Sequence, residues 1–178
     1  MQPGGPQMLR DLTYILGLPE LKYESERWKI DNGNVAMRFS CQVGHACLQR
    51  QVPFVFENPW TSLLWEAPQM KHLRRRRGVR MARADFCQYG MLWRKATGLL
   101  CAFVNTALIE RRCTGCRGIC SRTGRKHVQL SGTDPKTGQF LTHLAEPYPR
   151  GLCSAIVKAL CEGRLMIQHG NLKSWLQF

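Results

Sequence analysis

The chain has 178 residues, 44% of them hydrophobic, and a formal net charge of +14 from 26 Lys and Arg against 12 Asp and Glu. That length and composition suit one packed domain, or a large part of one, and exclude wholesale disorder. The charge points to polyanionic partners, nucleic acid before anionic membrane, and no apolar run approaches the roughly 18 residues of a membrane span.

The start, Met1-Gln2-Pro3-Gly4-Gly5-Pro6, lacks the apolar segment of a secretory signal. The nine cysteines are therefore expected as reduced thiols, in a nuclear or cytoplasmic compartment rather than a secreted protein.

Residues 1–33 read as a loop-rich segment, with Leu9 to Leu18 either a short helix or an irregular loop. Asp31-Asn32-Gly33-Asn34 reads as a turn in which Asn34 caps a following helix. That helix is expected over Val35–Gln51, where Val35, Phe39, Val43, Ala46 and Cys47 recur at helical spacing. Pro53 prevents its extension. Val52-Pro53-Phe54-Val55-Phe56 then reads as a buried strand of a parallel sheet, ending at the corner Glu57-Asn58-Pro59-Trp60.

Thr61 to Leu73 is expected to be helical in part, broken or kinked at Pro68. It runs into Arg74-Arg75-Arg76-Arg77-Gly78, cations suited to a helix C-terminus and a glycine suited to its cap. Val79–Cys87 and Gly98–Val104 read as two strands of a hairpin-like pair, joined by a Tyr89-Gly90 loop carrying Trp93, Arg94 and Lys95. Residues 105–148 are rich in Gly, Thr, Ser, Cys and basic residues and read as an irregular insertion. Pro149 is expected to open a helix running to Glu162, with Gly163 ending it. The tail to Phe178 either packs through Trp175, Leu176 and Phe178 or frays. This divides the chain into a loop-rich segment (1–33), an α/β part (34–104), a Cys/Gly/Arg-rich insertion (105–148) and a C-terminal helix and tail (149–178).

Two constellations carry chemistry. The first is the carboxylate and amide of Glu57 and Asn58, held by a proline at a strand end. Functional groups of open α/β sheets stand just beyond the carboxyl ends of strands; the plain alternative is a strand end with a capping Asn. Trp60 and Trp65 follow, as core packing or as platforms for bases. The second is Cys113, Cys116, Cys120 and His127, three thiols and an imidazole in C-x2-C-x3-C-x6-H spacing, a tetrahedral zinc set. His143 can replace His127, and free thiols or a disulfide are the other readings. Arg111, Arg112, Arg117, Arg122, Arg125 and Lys126 surround the cluster and favour thiolates. Arg74 to Arg77 either hold a phosphate backbone or form a solvated helix end.

In order, Gly33-Asn34, the Glu57-Asn58 strand end and the Tyr89-Gly90-Met91-Leu92-Trp93-Arg94-Lys95 loop resemble the second half of a cytosine-5 DNA methyltransferase domain. Pro59 stands where the family's Glu-Asn-Val motif has valine, and the Tyr-Gly loop lacks the family's Pro and Gln. Methyltransferase-like reading frames of mobile elements and viruses are similar across residues 9–160. The shared features include Glu57-Asn58-Pro59-x-x-Ser62-x-x-Trp65, Asp85-x-Cys87-x-Tyr89-Gly90 and His127-x-x-Leu130-x-Gly132.

The resemblance implies an α/β fold, the C-terminal strands of a partial Rossmann-like methyltransferase sheet; the cysteine spacing adds an irregular insertion that could bind zinc. It implies S-adenosylmethionine as cofactor of the complete domain, DNA as partner, Glu57 as the acid at cytosine nitrogen 3, and Asn58 as the residue that orients it. Arg94 and Lys95 would contact phosphates beside a flipped base. Asn58-Pro59-Trp60 also resembles the corner of amino-group methyltransferases, with one proline in place of two. The chain holds neither a Gly-x-Gly cofactor loop nor a Pro-Cys nucleophile. The expectation is a C-terminal portion, inactive without a separate or upstream cofactor half. The alternatives are a basic, zinc-stabilised nucleic-acid-binding module without catalysis, or a decayed mobile-element fragment.

Overall fold

A computed structural model describes residues 8–169. Its regular elements are α1 (Glu24–Gln49), β1 (Phe54–Pro59), α2 (Pro68–Arg74), β2 (Val79–Asp85), β3 (Ala96–Ala102) and α3 (Arg150–Gln168). Short 3-10 turns lie between them. The described residues thus form a mixed α/β structure, and none of their helices is long and apolar enough to cross a membrane. The expected tail packing through Trp175, Leu176 and Phe178 lies outside the described residues.

The sheet has the order β1-β3-β2, with β3 antiparallel to both neighbours. The expectation of β1 within a parallel pairing is corrected here: its hydrogen-bonded neighbour runs the other way. β1 and β2 nevertheless run parallel to each other, joined through α2, with β3 inserted between them. The register, Phe54 opposite Ala102 and Val79 opposite Ala102, brings the carboxyl ends of β1 and β2 to the same end of the sheet. Glu57 and Asn58 lie inside β1, opposite Leu99 and Gly98, rather than past its end. Strand residues alternate faces, so the two side chains point to opposite sides.

Helices cover both faces. On one, Thr97, Leu99 and Cys101 stand on the side of Ala82 and Ala84, where Leu152 and Ala159 of α3 complete the core. On the other, Leu100 packs with Met37 and Cys41 of α1 and Met70 and Leu73 of α2. Leu99 and Leu100 are both fully buried, and truncating either to alanine costs about 2–5 kcal/mol. Gly98 leaves space for Trp65, whose ring atoms come within 3.1 Å of where a Cβ would stand.

α1 starts earlier than its apolar spacing suggests and runs straight through the expected turn at 31–34. Glu24 and Glu26 occupy its first turn, where acidic groups suit the helix dipole, and the Glu26 carboxylate accepts the Tyr23 N–H at 3.2 Å. Asn34 does not cap; it is buried and knots α1 to the preceding loop. Arg10 donates to its Oδ1 (2.9 Å) and to the Ile30 carbonyl (3.0 Å), and the Asn34 amide donates to the Leu16 carbonyl (2.8 Å). Pro68 opens α2 rather than kinking a longer helix.

α3 begins after Pro149, as expected, but passes through Gly163 to Gln168. Gly163 is a packing residue: a Cβ there would lie 1.8 Å from the Phe103 carbonyl oxygen, on a residue held at φ 54°. Gly163→Ala is expected to destabilise the fold by about 1–3 kcal/mol. Gly151→Ala, whose new methyl meets only ordinary contact at 3.7 Å, is expected to preserve or raise stability. Urea unfolding midpoints of the two variants against the parent chain check both.

Candidate metal centre and the strand-end carboxylate

Asp85 ends β2 fully buried. Its carboxylate accepts from Arg83 Nε at 2.9 Å and pairs with Arg94 Nε at 3.3 Å. It also accepts the Cys113 backbone N–H at 2.7 Å. The backbone adds a second tie: Asp85 N–H donates to the Arg111 carbonyl and Arg111 N–H to that of Arg83, at 2.9 and 3.1 Å. The start of the insertion therefore runs along the edge of β2. Cys87, in the 3-10 turn that follows β2, comes to lie beside Cys113.

From Cys113 the chain folds back on itself. Arg117 and Gly118 both adopt positive φ (50° and 78°), and Ile119 N–H closes the turn on the Cys116 carbonyl at 2.8 Å. Only glycine fits at 115, where a Cβ would stand 1.9 Å from the Ile119 carbonyl oxygen. A tight return follows, with Cys120 N–H donating to the Arg125 carbonyl and His127 N–H to that of Gly118, each at 2.8 Å. Arg122 Nε clamps the knuckle to the Cys87 carbonyl at 2.6 Å.

The result is one buried group, Cys87, Cys113, Cys120 and His127, whose ligand atoms all lie within 4.8 Å of one another. A tetrahedral ion with metal–sulfur bonds near 2.3 Å needs ligand atoms about 3.8 Å apart. Cys113 Sγ and His127 Nε2 stand at 3.7 Å. Three thiols and an imidazole placed this way could hold a metal ion.

The electrostatics suit thiolate donors. Burial disfavours charge on Cys113. Hydrogen bonds from the Ser121 backbone and hydroxyl, the Gly115 backbone and the Cys87 thiol outweigh it and bring the group down to about 6. Burial likewise opposes the Cys120 thiolate, and hydrogen bonds from the backbones of Arg122 and Thr123, with the Thr123 and His127 side chains, overcome it. Cys87 goes the other way, pushed up to about 12 by burial and by its two thiol neighbours against the help of Gln88. A divalent ion held there would supply the charge that favours the Cys87 thiolate as well. Gln88 Nε2 reaches the sulfurs of Cys87 and Cys120 at 3.5 and 3.8 Å, a supporting shell around the donors.

Three of the residues read from the spacing enter this group, and Cys116 does not. It is exposed at the outside of the turn, and Cys87 takes its place. Cys87 stood in the Asp85-x-Cys87-x-Tyr89 pattern, but far upstream of the cluster, where ligand spacing gives no hint of it. His143 is also outside, paired with Glu146 at 2.7 Å. All nine cysteines are free.

The carboxyl end of the sheet also holds Glu57, on the α3 side of β1. Its Oε1 is buried without a hydrogen-bond partner. Burial, and the hydrogen bond and charge of Glu57, push the Tyr148 phenol up. Thr97 Oγ1, on the same face, is likewise buried and unpartnered. Lys95 Nζ lies 5.5 Å from the Tyr148 ring and 4.9 Å from that of Phe86, and donates to the Ala145 carbonyl at 3.2 Å. Asn58 faces the other side of the sheet, with Gly98, and does not share the Glu57 site.

Trp65 is core: it is 3% exposed and its indole N–H donates to the Pro59 carbonyl at 2.8 Å. Trp60 lies between Arg83 and Arg112, whose guanidinium carbons are 5.5 and 5.8 Å from its ring. Arg94 and Lys95 join the Glu57 end of the sheet. Arg75 to Arg77 stand at the opposite end, before Val79, a strand length of roughly 20 Å away. Arg74 instead reaches back to donate to the Trp65 carbonyl at 3.2 Å, near Trp60, and Arg75, Arg76 and Arg77 are exposed.

The chain matches no protein-family model, no curated protein and no solved structure.

Cobalt(II), whose thiolate complexes absorb visibly, separates the two candidate ligands. Cys87→Ser is expected to abolish the tetrahedral absorption at one equivalent, and Cys116→Ser to leave it intact. The reverse result would restore Cys116 to the site.

Proposed function

We propose that this chain is the nucleic-acid-engaging C-terminal part of a DNA base methyltransferase-like protein, with zinc on Cys87, Cys113, Cys120 and His127 stiffening its recognition segment. The observation that carries the reading is Glu57: a carboxylate inside β1, toward its carboxyl end, hydrogen-bonded to Tyr148 and with its Oε1 buried and unpartnered. Leaving such a group unsatisfied costs about 1–3 kcal/mol, a cost that functional groups bear in order to meet a ligand. The acid would stabilise charge developing on a cytosine ring flipped out of its duplex.

A Rossmann-like origin draws support from helices on both sheet faces and from β1 and β2 running parallel around α2. The central antiparallel β3 lends this origin no support, because doubly wound folds carry such a strand at a sheet edge. S-adenosylmethionine and the attacking thiolate belong to a segment these residues do not contain, so methyl transfer needs that partner half. The role of this chain is to hold the base and the strand. Zinc, when bound, supplies charge and geometry to the knuckle and takes no part in transfer.

A second reading, a zinc-stabilised binding module without catalysis, draws on the exposed Arg117, Arg122, Arg125 and Lys126 around the metal centre. It requires no role for Glu57.

Equilibrium binding to two short duplexes separates them, one with a central cytosine opposite an abasic site and one fully paired. The first reading expects roughly tenfold tighter binding to the extruded cytosine, lost in Glu57→Ala, with the salt-dependent remainder unchanged. Equal affinity for the two duplexes, or a preference that survives the substitution, removes Glu57 from base recognition and leaves the binding module. Protein purified without chelator is further expected to carry one zinc per chain. Its removal should open residues 111–128 to proteolysis while β1–β3 stay protected. Metal-free protein with that segment still resistant would sink the structural role of zinc.

A further inference from the structure

Beside the metal centre lies a cavity of about 560 Å³, within the size range of small-ligand sites. Trp93, Arg94 and Lys95 form one wall, His127 and Gln129 of the knuckle another, and Thr142 lies among the remaining lining. Three properties define what suits it. Trp93 offers an aromatic surface, and its Nε1 is buried with no acceptor in the protein. Arg94 and Lys95 place two cations at the wall. Arg94 Nε is paired with Asp85 and Lys95 Nζ donates to the Ala145 carbonyl, so an anion would meet their remaining N–H groups. The one carboxylate of the lining, Glu146, is exposed and contacts His143 at 2.7 Å. Lys95 links the cavity to the Glu57 end of the sheet, because its ammonium also lies over the Tyr148 ring.

An aromatic surface and two cations complement a planar ring joined to an anion. We infer that this cavity takes one nucleotide of a single strand, its base against Trp93 and its phosphate on Arg94 and Lys95, next to the base held at Glu57. The inference rests on the nucleic-acid reading above and deepens it: the recognised strand is opened over more than the target base. The metal centre acts by fixing the His127–Gln129 wall against the Trp93 loop; Val128 N–H donates to the Leu92 carbonyl at 2.9 Å across the two.

The test uses the full metal-loaded chain labelled with 15N-tryptophan, in which Trp93→Phe assigns the Trp93 indole N–H among the five tryptophans. An octathymidylate is expected to shift that signal at low salt. Trp93→Ala is expected to weaken octamer binding by roughly 5- to 100-fold, the range of base–aromatic stacking. Retained cobalt absorption shows that the variant is folded. Octamer binding with a static Trp93 signal and an unaffected Trp93→Ala overturns the cavity assignment and leaves the nucleic-acid reading standing. Thymidine monophosphate binding as tightly as the octamer overturns the strand in favour of a free nucleotide. A moving Trp93 signal without the Glu57-dependent cytosine preference upholds the cavity while that use of Glu57 falls. No binding of any oligonucleotide removes both.

Discussion

A single buried carboxylate holds the Cys/His-bearing end of this molecule together. Asp85 is surrounded by two guanidinium groups and a backbone N–H from three separate stretches: Arg83 in β2, Arg94 before β3, and Cys113 at the start of the insertion. A charge taken out of water is tolerated only when fully compensated, so the three stretches are bound to one geometry. The strand end, the Trp93–Lys95 loop and the Cys113–His127 knuckle are positioned relative to one another through it. Without that junction, the arginine-rich segment from 111 to 128 has little apolar surface with which to find its place.

The candidate ligand set shows how a group able to hold a metal can belong to a fold rather than to a motif. Three donors come from one short stretch that glycines bend sharply, but the fourth stands at the end of a strand. Cys87 is positioned by the sheet, and Cys113 by the bond from its N–H to Asp85. Cys116 has suitable spacing and the wrong direction, because the Arg117–Gly118 turn leaves it facing solvent. The same end of the sheet carries Glu57, Thr97 and Tyr148 on the α3 face. Both groups of polar residues thus gather where the carboxyl ends of β1 and β2 open.

Much of this was legible where local pattern and tertiary demand agree. The apolar positions of Val79–Cys87 and Gly98–Val104 give the antiparallel β2–β3 pair, and Pro149 marks the start of α3. The loss of periodicity after residue 105 marks the irregular segment. The rest depended on distant partners. Asp31-Asn32-Gly33-Asn34 has the composition of a turn, and Arg10 holds it helical by bonding Asn34 and the Ile30 carbonyl. Gly163 looks like a helix stop; it permits the approach of the Phe103 carbonyl. The insertion of β3 between β1 and β2 cannot be read from an apolar run, which fits parallel and antiparallel neighbours alike. Cys87 escaped ligand spacing because the metal group draws on three-dimensional proximity across β3.

The position of β3 between the first ligand and the other three has a thermodynamic consequence. Cys87 precedes the strand, and Cys113, Cys120 and His127 follow it, so full coordination requires the chain to have gone out along β3 and returned along the edge of β2. Any ion held by all four ligands therefore closes a chain loop that contains the central strand, and its apparent affinity includes the free energy of forming the sheet. Ion uptake and strand pairing become two readings of one equilibrium. A substitution deep in the core, far from every sulfur, then shows itself as weaker metal binding, and an ion in the medium shows itself as a more stable sheet.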